Sequence, residues 1–355
     1  MQFRRHIMAW IAKQWAFLFL LFLIAAFSIA EPSFFNLRTC NNILIAATTT
    51  LLLATGETYV IIAGGIDLSI GFVMGFVAVT SATVMQRLYA KGEGAPELAC
   101  ILAGCAVGLL VGVIPGFING LLIAKFRVPS FIATLGMHGI ANGLALKICD
   151  GYPVSFLPDL TGKIGNGFIA YYASQHGLFF FHKPALAERA DMLALKGLLP
   201  VSVLVTAMLL LICGFMLANT RFGQHTYAIG GSENAAIRAG INVPEHLIKI
   251  YMLSSFLASC GGILLVLRFA TGMHTQFSST YELFAIAAVV IGGARLMGGH
   301  GTIWGTTVGV LVLITLESGF VIIGIQVFYR YIAVGCILIV AVLINQFFPD
   351  IAHHE

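Results

Sequence analysis

Ten apolar stretches, most about twenty residues long, punctuate the chain at approximately 14–30, 42–62, 66–86, 99–123, 129–148, 200–218, 246–268, 281–293, 302–320 and 330–347. One crossing of a hydrocarbon core about 30 Å thick takes roughly twenty helical residues at about 1.5 Å each. Runs this long exceed a barrel strand of about ten alternating residues. Because backbone polar groups in lipid need internal partners, the pattern predicts an all-α polytopic membrane protein of about ten transmembrane helices. The eighth stretch is too short to cross alone and leads into the glycine-rich segment 292–301. A broken or re-entrant helix is expected there, covered by protein or lining a water-filled cavity. The chain reads as one transmembrane domain, 1–355, with two substantial excursions, 150–198 and 219–245, on opposite sides.

Glycines carry the clearest packing signal. Gly104, Gly108, Gly112, Gly116 and Gly120 recur every four residues through the fourth span, and Gly301, Gly305 and Gly309 repeat the spacing in the ninth. Bare stripes let helix backbones approach closely, so both helices are expected to lie buried within the bundle. Pro115 interrupts the first stripe and removes one backbone donor.

Composition agrees with a membrane protein: 59% apolar, 10% charged and a mean hydropathy of +0.95. A net charge of +4 with no basic run gives no footing for nucleic acid. The seven cysteines are scattered through mainly apolar segments, in no metal-binding pattern, and read as small buried hydrophobes. Arg4 and Arg5 precede an apolar run ending near Ser28-Ile29-Ala30, a pattern shared with cleavable leaders. The run from Trp15 to Ala30 is long for a leader core, so a retained first helix is expected. With the N-terminus inside, nine Lys/Arg (Arg4, Arg5, Lys13, Lys125, Arg127, Arg221, Arg238, Lys249, Arg295) fall inside and ten outside. Setting aside Lys163, Lys183, Arg189 and Lys196 of the long loop leaves nine against six, which favours that orientation.

No GxxxxGK[ST], HExxH, GxSxG or paired-carboxylate arrangement occurs, so neither a phosphate-cradling loop nor an intramembrane enzyme is supported. Ionisable residues within spans are the better lead, because each is costly in lipid and tends to face a cavity or a partner. Three stand out: Glu57 in LLLATGETYVIIAGG, Asp67 in GGIDLSIG and Glu317 in GVLVLITLESGF. Asp67 follows Gly64-Gly65 and precedes Ser69, where a helix break and a new N-terminus meet. Its carboxylate is suited either to capping the next helix or to touching a substrate. Glu57 and Glu317 have no capping role; a buried helix–helix hydrogen bond and a place on a pathway remain open for each.

Four segments then bring a family into view. GGIDLSIG (64–71), VPSFIATLG (128–136), YAIGGSENAAIRAGI (227–241) and GGARLMGGHGTIWGT (292–306) resemble, in the same order, the monosaccharide branch of ATP-binding-cassette importer permeases. The likeness to ribose, xylose, arabinose and galactose permeases runs from about residue 40 to 345. It implies a ten-helix subunit of a bacterial inner membrane with cytoplasmic termini, paired with a second copy or a paralogue. Two cytoplasmic ATPase subunits and an extracytoplasmic sugar-binding protein would complete the importer; ATP would bind the partner, and this chain would carry no cofactor and no catalysis. The 150–198 loop would then be extracytoplasmic and 219–245 the cytoplasmic coupling loop. In that loop Ser232 caps a short helix, Glu233 lies in its first turn, Arg238 in its last, and Gly240 ends it. The substrate pathway is assigned to Glu57, Thr58, Asp67, Ser69, Phe131, Thr134 and Glu317. Against the family pattern, Glu57 replaces an apolar residue, Glu317 an Asn, and Ala239 a frequent Ser. The long loop also carries an aromatic cluster at Tyr171, Tyr172, Phe179, Phe180 and Phe181. The additional carboxylates leave the sugar open and favour a polyhydroxylated or cationic ligand. A nucleoside or signalling-sugar permease is the alternative within the family. An ion-coupled secondary transporter, using Glu57, Asp67 and Glu317 as coupling carboxylates, is the alternative outside it.

Overall fold

The computed structural model describes residues 14–91, 96–173, 177–180, 195–274 and 281–347. Arg4, Arg5, Lys13, Phe181, Lys183 and Arg189, used in the sequence reading, lie outside the described residues. The described part is a helical bundle: α1 Trp15–Ala30, α2 Leu37–Ile62, α3 Ile70–Lys91, α4 Glu97–Ala124 and α5 Ser130–Cys149 come first. A short α6 (Asp159–Gly165) and three short strands follow, then α7 Val201–Asn219, α8 Arg221–Gly231 and α9 Glu233–Arg238. The bundle closes with α10 Val243–Phe269, α11 Tyr281–Ile291, α12 Ile303–Ile322 and α13 Val327–Phe347. Among the described residues seven helices (α2, α3, α4, α5, α7, α10 and α12) are long and apolar enough to cross a bilayer, while α1 and α11 are shorter. The all-α polytopic architecture is as the sequence predicts, but by that criterion the crossings do not reach ten.

Helix α10 is the hub, packing on α2, α3 and α4. Its contact with α4 is the glycine stripe at work. A Cβ at Gly116 would strike the carbonyl of Tyr251, and one at Gly120 would lie 2.6 Å from Ile248 Cα. Higher on the same face, Gly104 and Gly108 admit Met85 and Ser81 of α3. All five stripe glycines are buried. The rest of α4 is not: Leu102, Leu110 and Ile114 are exposed. The expectation that the whole helix is buried is therefore corrected, because the stripe is a narrow seam and the remaining apolar circumference faces outward. In α12 the seam is shared with a hairpin partner, Gly305 lying against Gly292 and Gly309 against Ala288 of α11.

The break after the eighth stretch is a helix hairpin. α11 stops at Ile291, and Gly293, Gly298 and Gly299 adopt positive φ (90°, 87° and 78°) before Thr302 caps α12 through the Gly305 N–H. These left-handed turns are where glycine costs least.

The long excursion is less irregular than the sequence suggests. β1 (Ala170–Ala173), β2 (Gly177–Phe180) and β3 (Lys196–Gly197) make an antiparallel sheet in the order β2-β1-β3. Tyr171 pairs with Phe179, and Tyr172 with Leu178, so Tyr171, Tyr172, Phe179 and Phe180 of the aromatic cluster lie on two paired strands. Asn41, near the start of α2, pins the sheet to the bundle by donating to Gly197 O at 2.7 Å. At the other end of α2, Ile62 O accepts from Gly299 N at 2.8 Å and lies against Gly230 of α8. The two excursions thus sit at opposite ends of one helix.

The seam makes a prediction. At Gly112 any side chain meets Ser259 and lies 2.6 Å from Val77 Cγ2, and overpacking of this kind costs about 1–3 kcal/mol or more. Gly112→Leu should express poorly or melt at lower temperature in detergent, whereas Leu110→Gly, at a position 73% exposed, should be milder. Equal tolerance of both, measured by size-exclusion recovery after heating, would refute the buried seam.

Candidate functional site

The chain between α2 and α3 is non-helical, exposed at Gly64 and fully buried at Asp67 and Ser69, and its enclosed backbone must find partners inside the bundle. Asp67 supplies them. Its Oδ1 accepts from Ser69 N at 3.0 Å and Ser69 Oγ at 2.6 Å, and its Oδ2 accepts from Ser254 Oγ of α10 at 3.1 Å. Glu57 Oε1 accepts from Asp67 N at 3.1 Å, closing the turn back onto α2. Asn119 of α4, one turn beyond Pro115, donates to Ser69 Oγ at 3.0 Å. From α5, Ser130 Oγ accepts from Ile66 N at 3.3 Å, and Thr134 donates to Ser130 O at 2.8 Å and to Ile66 O at 3.3 Å. Ser69 O then receives the first helical bond of α3, from Val73 N. One turn is therefore tied to four helices (α2, α4, α5 and α10).

Of the residues singled out in the sequence, Glu57, Asp67, Ser69 and Thr134 meet in this knot, each fully enclosed. Thr58, next to Glu57, instead shares a 2.7 Å hydrogen bond with Thr306 of α12. Phe131 stands apart on the outward face of α5, half exposed. Glu317 belongs elsewhere: it lines a cavity of about 790 Å³ bounded by α2, α10, α11, α12 and α13, together with Arg268 and Tyr281. Sequence reading missed Ser254, Asn119 and Arg268. Asn119 had a signal, a lone amide in a glycine-striped helix beside a proline; the serine in the apolar run of α10 had none.

The 219–245 segment has the local chemistry that its sequence dictates. Ser232 Oγ accepts from Ala235 N, and Gly240, at φ 82°, turns the chain so that Ile241 N returns to Ala236 O. Ala236, Ile229 and Val243 form a small core of their own, leaving Glu233, Ile237, Arg238 and Gly240 exposed. Tyr227 ties α8 to the hairpin turn by donating to Gly301 O at 2.6 Å. At the same place Gly230 and Gly298 come into backbone contact, with Gly64 beside them.

The knot can be tested by stability. Asp67→Ala should lower the detergent melting temperature and the yield, because Ser69 N–H and Ser254 O–H lose an acceptor at about 1–3 kcal/mol for each buried orphan. Asp67→Asn keeps an oxygen for Ser69 and should be milder. An Ala variant as stable as the parent would show that the turn is held by other means.

Residues 39–342 match the family model described as "Branched-chain amino acid transport system / permease component". Among curated proteins, the ribose import permease RbsC of Escherichia coli K12 is 34% identical over 338 residues, 95% of each chain. RbsC of Bacillus subtilis 168 is 35% identical over 345 residues, 97% of this chain and 96% of the relative. The galactose/methyl galactoside import permease MglC of Haemophilus influenzae is 32% identical over 345 residues, 94% of each. No solved structure matches. With both the family model and these relatives spanning nearly its whole length, the chain belongs to the branched-chain amino acid transport system permease family.

Proposed function

We propose that this chain is the membrane-spanning permease subunit of an ATP-driven importer that moves a monosaccharide of the ribose or galactose class. The observation that carries the reading is end-to-end similarity to import permeases for ribose and for galactose, at 94% or more of both chains. The chain itself performs no bond chemistry. It works as a pair with a second copy or a paralogue in a bacterial inner membrane. Two cytoplasmic ATPase subunits bind and hydrolyse ATP, and an extracytoplasmic binding protein delivers the sugar. The 219–245 segment faces the cytoplasm as the docking point for the ATPase. The exposed Ile237, flanked by Glu233 and Arg238, supports this, since a solvent-facing apolar side chain rimmed by charge suits a protein contact.

Uptake into proteoliposomes tests the function directly. With the cognate ATPase and binding protein present, labelled ribose or galactose should accumulate only when ATP is supplied. Accumulation driven by a proton or sodium gradient without the ATPase would replace this reading with the ion-coupled one.

Coupling is tested separately. Among the described residues Arg238 bonds only back to Asn234 O within its own helix, so Glu233→Ala with Arg238→Ala should leave the fold intact. The double variant is expected to recover less ATPase on co-purification and to hydrolyse ATP with less sugar moved per turnover. Unchanged recovery together with unchanged coupling would exclude the docking role.

A further inference from the structure

Hydroxyls on apolar helices usually satisfy themselves. On α2, Thr48 donates to Ile45 O, Thr55 to Leu51 O and Thr58 to Ala54 O, and on α3 Thr80 donates to Phe76 O. Thr49 and Thr50 lie between these in sequence and are 4% and 1% exposed. Neither side chain hydrogen-bonds to any described residue, and the same holds for Asn42 and Ser318. All four line the cavity that holds Glu317 and Arg268. Asn42 is exposed and Ser318 half-buried, but Thr49 and Thr50 are enclosed; leaving two enclosed hydroxyls without a partner is unfavourable, so their place on one cavity wall points to a hydrogen-bonding occupant.

The character of the wall narrows that occupant. The four neutral groups offer both donors and acceptors, and Arg268 and Glu317 add one charge of each sign to the wall. Tyr281 lies within electrostatic reach of both charges, and Phe284 adds an apolar ring. A free amino acid would match the two charges but leave the enclosed Thr49 and Thr50 without partners. A sugar, whose adjacent hydroxyls each donate once and accept, has enough polar atoms for all of them and a CH face for the rings. The volume, about 790 Å³, falls among ordinary small-molecule pockets of roughly 300–1,000 Å³. We propose that this cavity, at the end of α2 remote from the 219–245 segment, is a binding site within the permease itself for a polyhydroxylated solute. The inference rests on the importer reading and adds to it a site at which this subunit, and not the binding protein alone, contacts the sugar.

Two measurements on the reconstituted importer test it. In uptake, Thr50→Val and Ser318→Ala should each raise the KM for ribose or galactose about tenfold. Thr80→Val, which removes a self-satisfied hydroxyl elsewhere, should keep the parental KM. In labelling, Ser318→Cys in a background lacking the seven native cysteines should react with a small water-soluble thiol reagent. Millimolar ribose or galactose should slow that reaction at least threefold, and leucine should not. Unchanged KM in both variants with no protection by sugar would overturn the site, as would protection by leucine alone. If the parent importer moves ribose or galactose while the variants behave like it, the site fails and the function stands. If the parent moves neither sugar and leucine protects, both fall together.

Discussion

A buried carboxylate at Asp67 ties several helices together where the bundle interrupts its own helices, because the enclosed part of that break has to find its partners within the protein. The chain from Ala63 to Ser69 leaves helical geometry, so its N–H and C=O groups need acceptors and donors from neighbours. Asp67 serves Ser69 and Ser254, Glu57 serves the Asp67 N–H, and Ser130 and Thr134 serve Ile66. With Asn119 donating to Ser69, the partners come from four helices, so the turn links α2, α4, α5 and α10. The glycine seam of α4 depends on this arrangement, since backbone-to-backbone contact tolerates little sliding.

The membrane helices were legible to within about five residues, since hydrophobic length reports directly on helices; the predicted 200–218 is Val201–Asn219, whereas 42–62 is Leu37–Ile62 and 66–86 is Ile70–Lys91. The short helix α9 was legible too, because a serine cap and a terminal glycine are local signals. What could not be read was association. Nothing in the apolar run around Ser254 announces that its hydroxyl meets Asp67, 187 residues away. The sheet of the 150–198 excursion escaped for a related reason: strands of four residues are too short to show a period, and only pairing makes them strands. Glu57 and Glu317 looked alike in sequence, each a lone acid in an apolar helix, and the structure gives them different surroundings.

The surroundings of Glu317 lie at the far end of the α11–α12 hairpin. α12 has 20 residues and spans about 30 Å, and it packs on α11 through Gly305 and Gly309 near the glycine turn. Glu317 and Ser318, roughly two turns beyond Gly309, face a cavity whose wall includes Tyr281 and Phe284 from the first turn of α11.

At the opposite end, Gly230, Gly298 and Gly64 meet with no side chains between them; a Cβ built on Gly298 would lie 3.1 Å from Gly230 Cα and 3.1 Å from Gly64 Cα. Side chains act as springs, since rotamers can yield by an ångström before a backbone has to move. A joint made of bare main chain has no such slack. The three glycines therefore bring main chain against main chain where α8, the end of α2 and the tip of the α11–α12 hairpin meet, a place where any added side chain would have to move backbone.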